Sequence, residues 1–245
     1  KKKGKVGRIM QPKAPPIAFV VSKLAERNML PAIYFIFSRR GCDKAVENIK
    51  DLSLVSYSEA NLISQRLDIY LKNNKEGIKD KFHCEALKRG IASHHAGLLP
   101  AWKELVEELF QQGLIKVVFA TETLAAGINM PARTTVFTQL DKPSEKETRR
   151  WIRNDEFWQM AGRAGRRGMD TRGYIIYYPM KRICPFITFK NMIESQPLPT
   201  SSKLKINESF VLRNIHNGQS VLHKSLLYTE YKKELEEMES DVDHQ

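Results

Sequence analysis

The chain has 245 residues, of which 42% are hydrophobic, so a core can form and intrinsic disorder is excluded as the default. Its formal charge of +12 predicts a polyanionic partner such as nucleic acid. The three cysteines include no CxxC pair, which argues against a disulfide framework or a zinc site and favours a reducing intracellular compartment. No apolar run reaches about 18 residues, so we expect neither a membrane span nor a membrane partner.

The amino-terminal half of the chain predicts a strand and several helices. Residues 1–16 are basic and are predicted to be a linker. An apolar run at residues 32–37 predicts a strand, and a helical pattern follows it at residues 41–52. Residues 52–90 predict two more helices with a break between them. A further helix is expected to begin at Pro100 and to end at Gly113.

Three more apolar runs predict strands at residues 116–120, 134–140 and 173–178. Strands that alternate with helices in this way predict an α/β fold, in which a parallel sheet is sandwiched by helices. After residue 180 the pattern changes. We expect the main domain over residues 17–182, a linker over residues 183–205, and a small helical extension over residues 206–245.

We place four motifs at the ends of these strands, where ligands bind in open α/β folds. In the first, FIFSRRGCD, Ser38 and Arg39 stand just before a predicted helix. A hydroxyl, a guanidinium group and the free N–H groups of a helix start can together hold a phosphate. The same residues also fit an ordinary polar loop.

The second motif, ASHHAGLLP, contains two adjacent histidines. A metal site is disfavoured, because no third ligand follows at a usual spacing. We therefore expect one histidine to be packed or hydrogen-bonded, and the backbone near Gly97 to face a ligand.

The third motif, FATETLAAGINMPARTTVF, places Thr121 directly after a strand. Small residues up to Gly127 permit a close approach of the backbone to a ligand, and Asn129 adds a polar side chain. The alternative is that the small residues only allow a helix to pack tightly on a strand.

The fourth motif, QMAGRAGRR, predicts a helix capped by Asn154 or Asp155 and continuing through the arginines. On such a helix Arg163, Arg166 and Arg167 would share one face. Like charges on one face are unfavourable unless an anion neutralises them, and guanidinium groups that bind a transferred phosphoryl group act as arginine fingers. A basic helix that faces RNA is the alternative for Arg167.

An apparent acidic box, DEFW at residues 155–158, resembles the Mg²⁺ box of nucleoside triphosphatases. It precedes the arginines directly instead of ending a buried strand, so we interpret Asp155 and Glu156 as residues of a helix start. The sequence contains no GxxxxGK[ST] phosphate loop. We therefore expect no metal ligands in this chain.

Taken together, the motifs resemble those of superfamily-two helicases. The stretch QMAGRAGRRG resembles motif VI, ATETLAAGINMPA resembles motif V, and FIFSRRGCD resembles motif IV. The longer stretch HHAGLLPAWKELVEELFQQGLIKVVFATET is similar throughout to the DExH-box RNA helicases of the superkiller and exosome-associated group. The resemblance covers residues 17–182 and implies a second RecA-like lobe, with residues 206–245 as the start of a winged-helix-like extension.

The resemblance also implies roles for the motif residues. ATP would lie between this lobe and a first lobe, with Gln159, Arg163 and Arg166 facing the nucleotide and the two arginines acting as fingers to its γ-phosphate. Gly127 and Asn129 would lie beside the nucleotide cleft.

Single-stranded RNA would cross both lobes, and the resemblance implies that four residues hold its backbone: Ser38, Arg39, Gly97 and Thr121. The phosphate loop and the Mg²⁺ ligands would belong to the first lobe, so we expect this chain alone to hydrolyse no ATP. An RNA-decay or RNA-processing complex would be a further partner. The alternatives are a DNA helicase of the related repair type and a non-catalytic nucleic-acid-binding module derived from a helicase.

Overall fold

A computed structural model describes residues 14–74, 81–125, 128–144, 148–179 and 183–195. All of them lie in the first of the two units into which the chain divides, residues 1–196. The predicted extension at residues 206–245 lies outside the described residues, as does most of the predicted basic linker.

The helices and strands are, in chain order, α1 (Ile17–Glu26), β1 (Ala32–Phe35), α2 (Arg39–Asn48), α3 (Tyr57–Asn73), α4 (Lys81–Lys88), β2 (Ile91–His94), α5 (Pro100–Gln111), β3 (Val117–Ala120), a 3₁₀ helix (Glu122–Ala125), β4 (Thr134–Phe137), β5 (Asp141–Lys142), β6 (Arg150–Trp151), α6 (Asn154–Ala161), β7 (Tyr174–Tyr177) and α7 (Phe186–Glu194).

Five of the strands form one sheet in the order β2-β3-β1-β4-β7, and every pairing in it is parallel. This confirms the predicted parallel sheet, and each of the four predicted strands is found within its predicted bounds. Strand β2 was not predicted, because Ser93 and His94 make half of it polar although all four of its residues are buried. Strands β5 and β6 form a separate antiparallel pair.

Helices cover both faces of the sheet. On β1, Ile33 and Phe35 pack into a core with α3, α5, α6 and α7, whereas Ala32 and Tyr34 pack into a second core with α1 and α2. Successive strand residues point to opposite faces, so both sets are buried only if both faces are covered. The predicted helix–sheet–helix sandwich is therefore confirmed.

Of two further predicted segments, one is confirmed and the other differs from the structure. The helix predicted to begin at Pro100 is confirmed as α5, and Gly113 follows it in the left-handed region with φ of 74°. Part of the predicted linker at residues 183–205 is instead helix α7, which packs against α6. No helix among the described residues is both long and apolar enough to cross a membrane.

Candidate functional site

The loops that follow β1, β2 and β3 lie side by side at the carboxyl edge of the sheet, because these strands are parallel neighbours. Their backbone hydrogen bonds continue past the strand ends. The Ile36 N–H donates to the Ala120 carbonyl at 2.8 Å, and the Thr121 N–H donates to the His94 carbonyl at 3.3 Å. The first three sequence motifs are therefore brought together at one edge.

The loop after β1 leads into α2 through Ser38. The Gly41 N–H donates to Ser38 Oγ at 3.2 Å, so this side chain caps the helix. Arg39 and Arg40 follow on the first turn and are exposed, and neither makes a hydrogen bond or an ion pair within the described part of the chain. The loop thus presents two uncompensated guanidinium groups to solvent.

The loop after β2 contacts Arg39 at Gly97. A Cβ atom on Gly97 would lie 3.3 Å from Arg39 Cδ and 3.1 Å from His95 Nδ1, so glycine allows these side chains to pack against the backbone. The Gly97 N–H donates to His95 Nδ1 at 3.1 Å. This amide is therefore used inside the loop, and a ligand contact of the backbone near Gly97 stays a prediction.

The acceptor at Nδ1 places the proton of a neutral His95 on Nε2, which donates to Asp43 Oδ1 at 3.0 Å. The same carboxylate oxygen lies 3.0 Å from Ser93 Oγ and 3.2 Å from His83 Nε2. Burial favours the neutral acid, but the hydrogen bonds from His95 and His83 outweigh it and hold the pKa of Asp43 below its ordinary value. Asp43 on α2 therefore fixes the loop after β2.

His94 is also buried, and its Nε2 lies 2.7 Å from Glu107 Oε1 on α5. Burial lowers its pKa although Glu107 opposes the shift. Both histidines of the tandem pair are thus buried and hydrogen-bonded, where one was expected. Among the described residues, no group of three or more His, Cys, Asp or Glu side chains is arranged to hold a metal ion.

The loop after β3 begins with Thr121, whose Oγ1 lies 2.9 Å from Thr123 Oγ1. Gly127 lies outside the described residues. The Asn129 side chain is exposed, and the Asn129 carbonyl accepts a hydrogen bond from Gln111 Nε2 at 3.1 Å. Thr121 is thus at the same edge as Ser38, as the parallel sheet requires.

The prediction of a helix that runs through the arginines is wrong. Helix α6 ends at Ala161, and Gly165 has a φ of 92° that no α-helix contains. The backbone after α6 instead pairs with the chain before β4, because the Gly165 N–H donates to the Ala132 carbonyl at 2.7 Å and the Ala132 N–H donates to the Arg163 carbonyl at 2.8 Å. Arg163, Arg166 and Arg167 therefore do not share a helix face.

The start of α6 also differs from the expected cap. Arg153 is the capping residue, and its N–H donates to the Glu156 carboxylate at 2.8 Å. Asn154 is the first helical residue and donates to the carbonyls of Met192 and Ser195, both at 2.7 Å. Asp155 and Glu156 lie in the first turn, which confirms their interpretation as helix-start residues.

The Arg163 guanidinium binds the loop that follows the 3₁₀ helix. It donates to the Ile128 carbonyl at 2.6 Å and also to the Ala125 carbonyl. Arg163 therefore joins the fourth motif to the third through the backbone on either side of residues 126–127.

Arg166 forms a two-point pair with Asp170. Its Nε and one terminal nitrogen donate to the two carboxylate oxygens at 2.8 and 2.9 Å, and its backbone N–H donates to the same carboxylate at 3.0 Å. The Asp170 side chain is 1% exposed, and Arg133 Nε lies 3.6 Å from Asp170 Oδ1. A side-on pair of this kind uses Nε and one terminal N–H, and it leaves the other N–H groups of Arg166 available.

Gln159 and Arg167 are exposed, and neither makes a hydrogen bond or an ion pair with any residue that the structure describes. Sequence reasoning missed Asp43, Asp170 and Lys142, each of which holds a motif side chain or motif element in place. Asp170 lies three positions after the fourth motif, so its proximity was a usable signal. Lys142 lies between motifs and gave none.

The fold and its carboxyl-edge loops define a RecA-like α/β lobe. The chain belongs to the helicase conserved C-terminal domain family, whose model matches residues 31–168. This confirms the helicase resemblance and the RecA-like fold class.

Its relatives include DExH-box helicases of the predicted group. The chain is 47% identical over 174 residues to the chloroplastic DExH-box ATP-dependent RNA helicase DExH15 of Arabidopsis thaliana, which covers 71% of this chain and 15% of that protein. It is 38% identical over 228 residues to human exosome RNA helicase MTR4, covering 89% of this chain and 22% of that protein. It is 35% identical over 197 residues to the antiviral helicase SKI2 of Saccharomyces cerevisiae, covering 79% of this chain and 15% of that protein. The chain therefore spans about a fifth or less of the length of these relatives.

Proposed function

We propose that the chain is the second motor lobe of an ATP-dependent RNA helicase. ATP binds between it and a first lobe of the same protein, and single-stranded RNA crosses the carboxyl-edge loops. The names of the relatives as ATP-dependent and exosome RNA helicases support this function. The observation that carries it is the pairing of Arg163 with the Ala125 and Ile128 carbonyls, which joins the arginine motif to the loop that begins at Thr121.

On the nucleotide side, Gln159 faces ATP and Arg163 and Arg166 contact its γ-phosphate, with Gly127 and Asn129 beside the cleft. We expect Arg166 to contribute more than Arg163. Asp170 orients Arg166 and leaves several N–H groups of Arg166 available for the phosphate. Two of the N–H groups of Arg163, in contrast, donate to backbone carbonyls. The ligands of Mg²⁺ belong to the first lobe in this proposal.

On the RNA side, Ser38, Arg39, Thr121 and the Gly97 loop contact the backbone phosphates. Gly97 contributes by admitting the Arg39 stem, since its own N–H is bonded to His95. Contacts to phosphates rather than bases make the binding largely independent of sequence and sensitive to salt.

The motor cycle follows from these contacts. Arg166 gains its charge-assisted bonds to the γ-phosphate only when the two lobes are closed around ATP. After hydrolysis those bonds are lost, the lobes separate, and the phosphate contacts at Ser38 and Thr121 shift along the strand. The relative named as an exosome RNA helicase supports an RNA-decay or RNA-processing complex as a further partner.

The test is ATP turnover by the complete helicase, including the first lobe, without nucleic acid, with single-stranded RNA and with matched single-stranded DNA. We expect RNA to stimulate turnover and Arg166→Ala to lower kcat by about a thousandfold, the lower end of the range for arginine fingers. The 245-residue chain alone is expected to hydrolyse no ATP.

The matched control is Arg172→Ala, which removes an exposed arginine outside the motif. Stimulation by DNA alone would favour the repair-type alternative. Unchanged turnover in Arg166→Ala would refute the finger assignment.

A further inference from the structure

Lys142 is a charged residue outside all four motifs. It lies on β5, and its side chain is 14% exposed. Its ammonium group contacts the carboxylates of Glu122 and Glu156, the second at 2.8 Å. One cation therefore bridges two acidic side chains that are 34 positions apart in the sequence.

Each bridged carboxylate belongs to an element of the proposed site. Glu122 begins the 3₁₀ helix and directly follows Thr121, which is assigned to RNA. Glu156 lies in the first turn of α6, three positions before Gln159, which is assigned to ATP. Lys142 thus lies between the RNA-binding loop and the nucleotide-facing helix.

The pair between Lys142 and Glu156 differs from an ordinary surface ion pair. Glu156 is 14% exposed and also receives two hydrogen bonds from Arg150, at 2.6 and 2.8 Å. Although burial opposes it, the hydrogen bonds from Arg150, from the Arg153 backbone and from Lys142 lower the pKa of Glu156 to about 2. The groups stay charged, and separating a charged and poorly solvated pair is costly. Lys142 is therefore held firmly at the start of α6, and from there it reaches Glu122 at the start of the 3₁₀ helix.

A second link ties the same two parts of the chain. Arg163 follows α6 and binds the carbonyl of Ala125, the last residue of the 3₁₀ helix. Lys142 thus fixes the first residue of the 3₁₀ helix to the start of α6, and Arg163 fixes its last residue beyond the end of α6. The 3₁₀ helix that follows Thr121 is thus joined to α6 and to the chain beyond it at two points.

We infer that Lys142 is a positioning residue through which RNA bound at Thr121 promotes ATP turnover at the Gln159 side of the lobe. This inference rests on the proposed function. Lys142 contacts neither RNA nor ATP in this scheme, and it acts by keeping Glu122 and Glu156 in register.

The experiment compares Lys142→Met with Arg150→Met in the complete helicase. Both changes remove a cation from Glu156, but only Lys142→Met breaks the link to Glu122. The readout is the ratio of RNA-stimulated to basal ATP turnover. We expect this ratio to fall roughly tenfold in Lys142→Met and to stay within about twofold in Arg150→Met, in keeping with the size of other coupling effects.

Two further variants separate coupling from a loss of structure. Glu122→Gln should lower the ratio about as much as Lys142→Met. The double variant should lower the ratio by less than about a further twofold, because both single changes break the same contact between Lys142 and Glu122. Lys142→Arg keeps a cation between the two carboxylates and should preserve most of the ratio. If Lys142→Met fails to fold, Glu122→Gln decides, since its side chain is 43% exposed.

A merely structural role would lower basal and stimulated turnover together and leave the ratio unchanged. That result, or an equal loss of the ratio in Arg150→Met, would overturn the inference. Failure of the proposed function looks different, because the unchanged helicase would then show no RNA stimulation or would keep its turnover in Arg166→Ala.

Discussion

At the scale of single residues, the candidate site depends on acidic side chains that hold basic ones. Asp43 orients His95, and Asp170 orients Arg166. The arginines were predictable from the sequence, because their spacing with glycine and alanine is unusual. The proximity of Asp170 to the fourth motif was a usable signal for its partner, but only the fold shows that the Asp170 side chain is 1% exposed and paired with Arg166.

Asp170→Asn tests how much the pair with Arg166 stabilises the fold. The change removes a buried negative charge from between two arginines, so we expect the free energy of unfolding to fall by roughly 2–4 kcal/mol. Urea unfolding of the chain measures this. The matched control is Asp155→Asn, because Asp155 pairs with Arg153 at 41% exposure, and its loss should cost less than about 1 kcal/mol.

The sign of the pH dependence provides a check on the same pair. The hydrogen bonds from Arg166 hold the pKa of Asp170 below its ordinary value, so the unfolded state takes up protons first on acidification. The stabilisation is present at neutral pH and is lost as the pH falls. The difference between the unchanged chain and Asp170→Asn should therefore narrow below about pH 4, the ordinary range of an aspartate. A difference independent of pH would contradict this assignment.

At the scale of elements, periodicity predicted the sheet well and the end of α6 badly. Apolar runs predicted four of the five strands of the sheet. Strands β1, β3 and β4 are buried throughout, whereas β7 lies at the edge of the sheet and is only partly buried. Strand β2 was missed because its polar residues are buried through hydrogen bonds. Helix α6 was predicted to extend too far, because the spacing of the arginines suits a helix. The backbone hydrogen bonds that join Ala132 to Arg163 and to Gly165 instead require a turn.

Gly165→Ala distinguishes the observed turn from the predicted helix by the sign of its effect. In a helix, alanine would stabilise the chain by about 1 kcal/mol relative to glycine. At the observed φ of 92° we expect alanine to destabilise it by roughly 1–2 kcal/mol. Asparagine tolerates left-handed backbone better and should cost less than alanine. Urea unfolding of the unchanged chain, Gly165→Ala and Gly165→Asn gives the order of their free energies of unfolding. An alanine variant more stable than the unchanged chain would support the helix.

At the scale of the whole molecule, net charge alone does not indicate where phosphate binds. Near the proposed site Arg150, Arg166 and Lys142 are paired with carboxylates, and Arg163 is bound to carbonyls. The cations left without a partner in the described part of the chain include Arg39 and Arg40 at the carboxyl edge. The composition predicted a polyanionic partner, and only the pairing of charges in the fold identifies which cations can bind it.

Arg39→Ala should reveal this selection in the salt dependence of RNA binding by the chain. Each phosphate that a cation neutralises on a single strand contributes about 0.7 to the slope of log affinity against log salt, so Arg39→Ala should lower the slope by about 0.7. The control is Lys23→Ala. Lys23 lies in the last turn of α1, which leads into the opposite end of β1, and it pairs with Glu26 at 2.6 Å. Titrations with a single-stranded RNA at several salt concentrations give both slopes. Equal slopes for the two variants would mean that RNA does not bind at the carboxyl edge, because a diffuse positive charge responds to the loss of any surface cation alike.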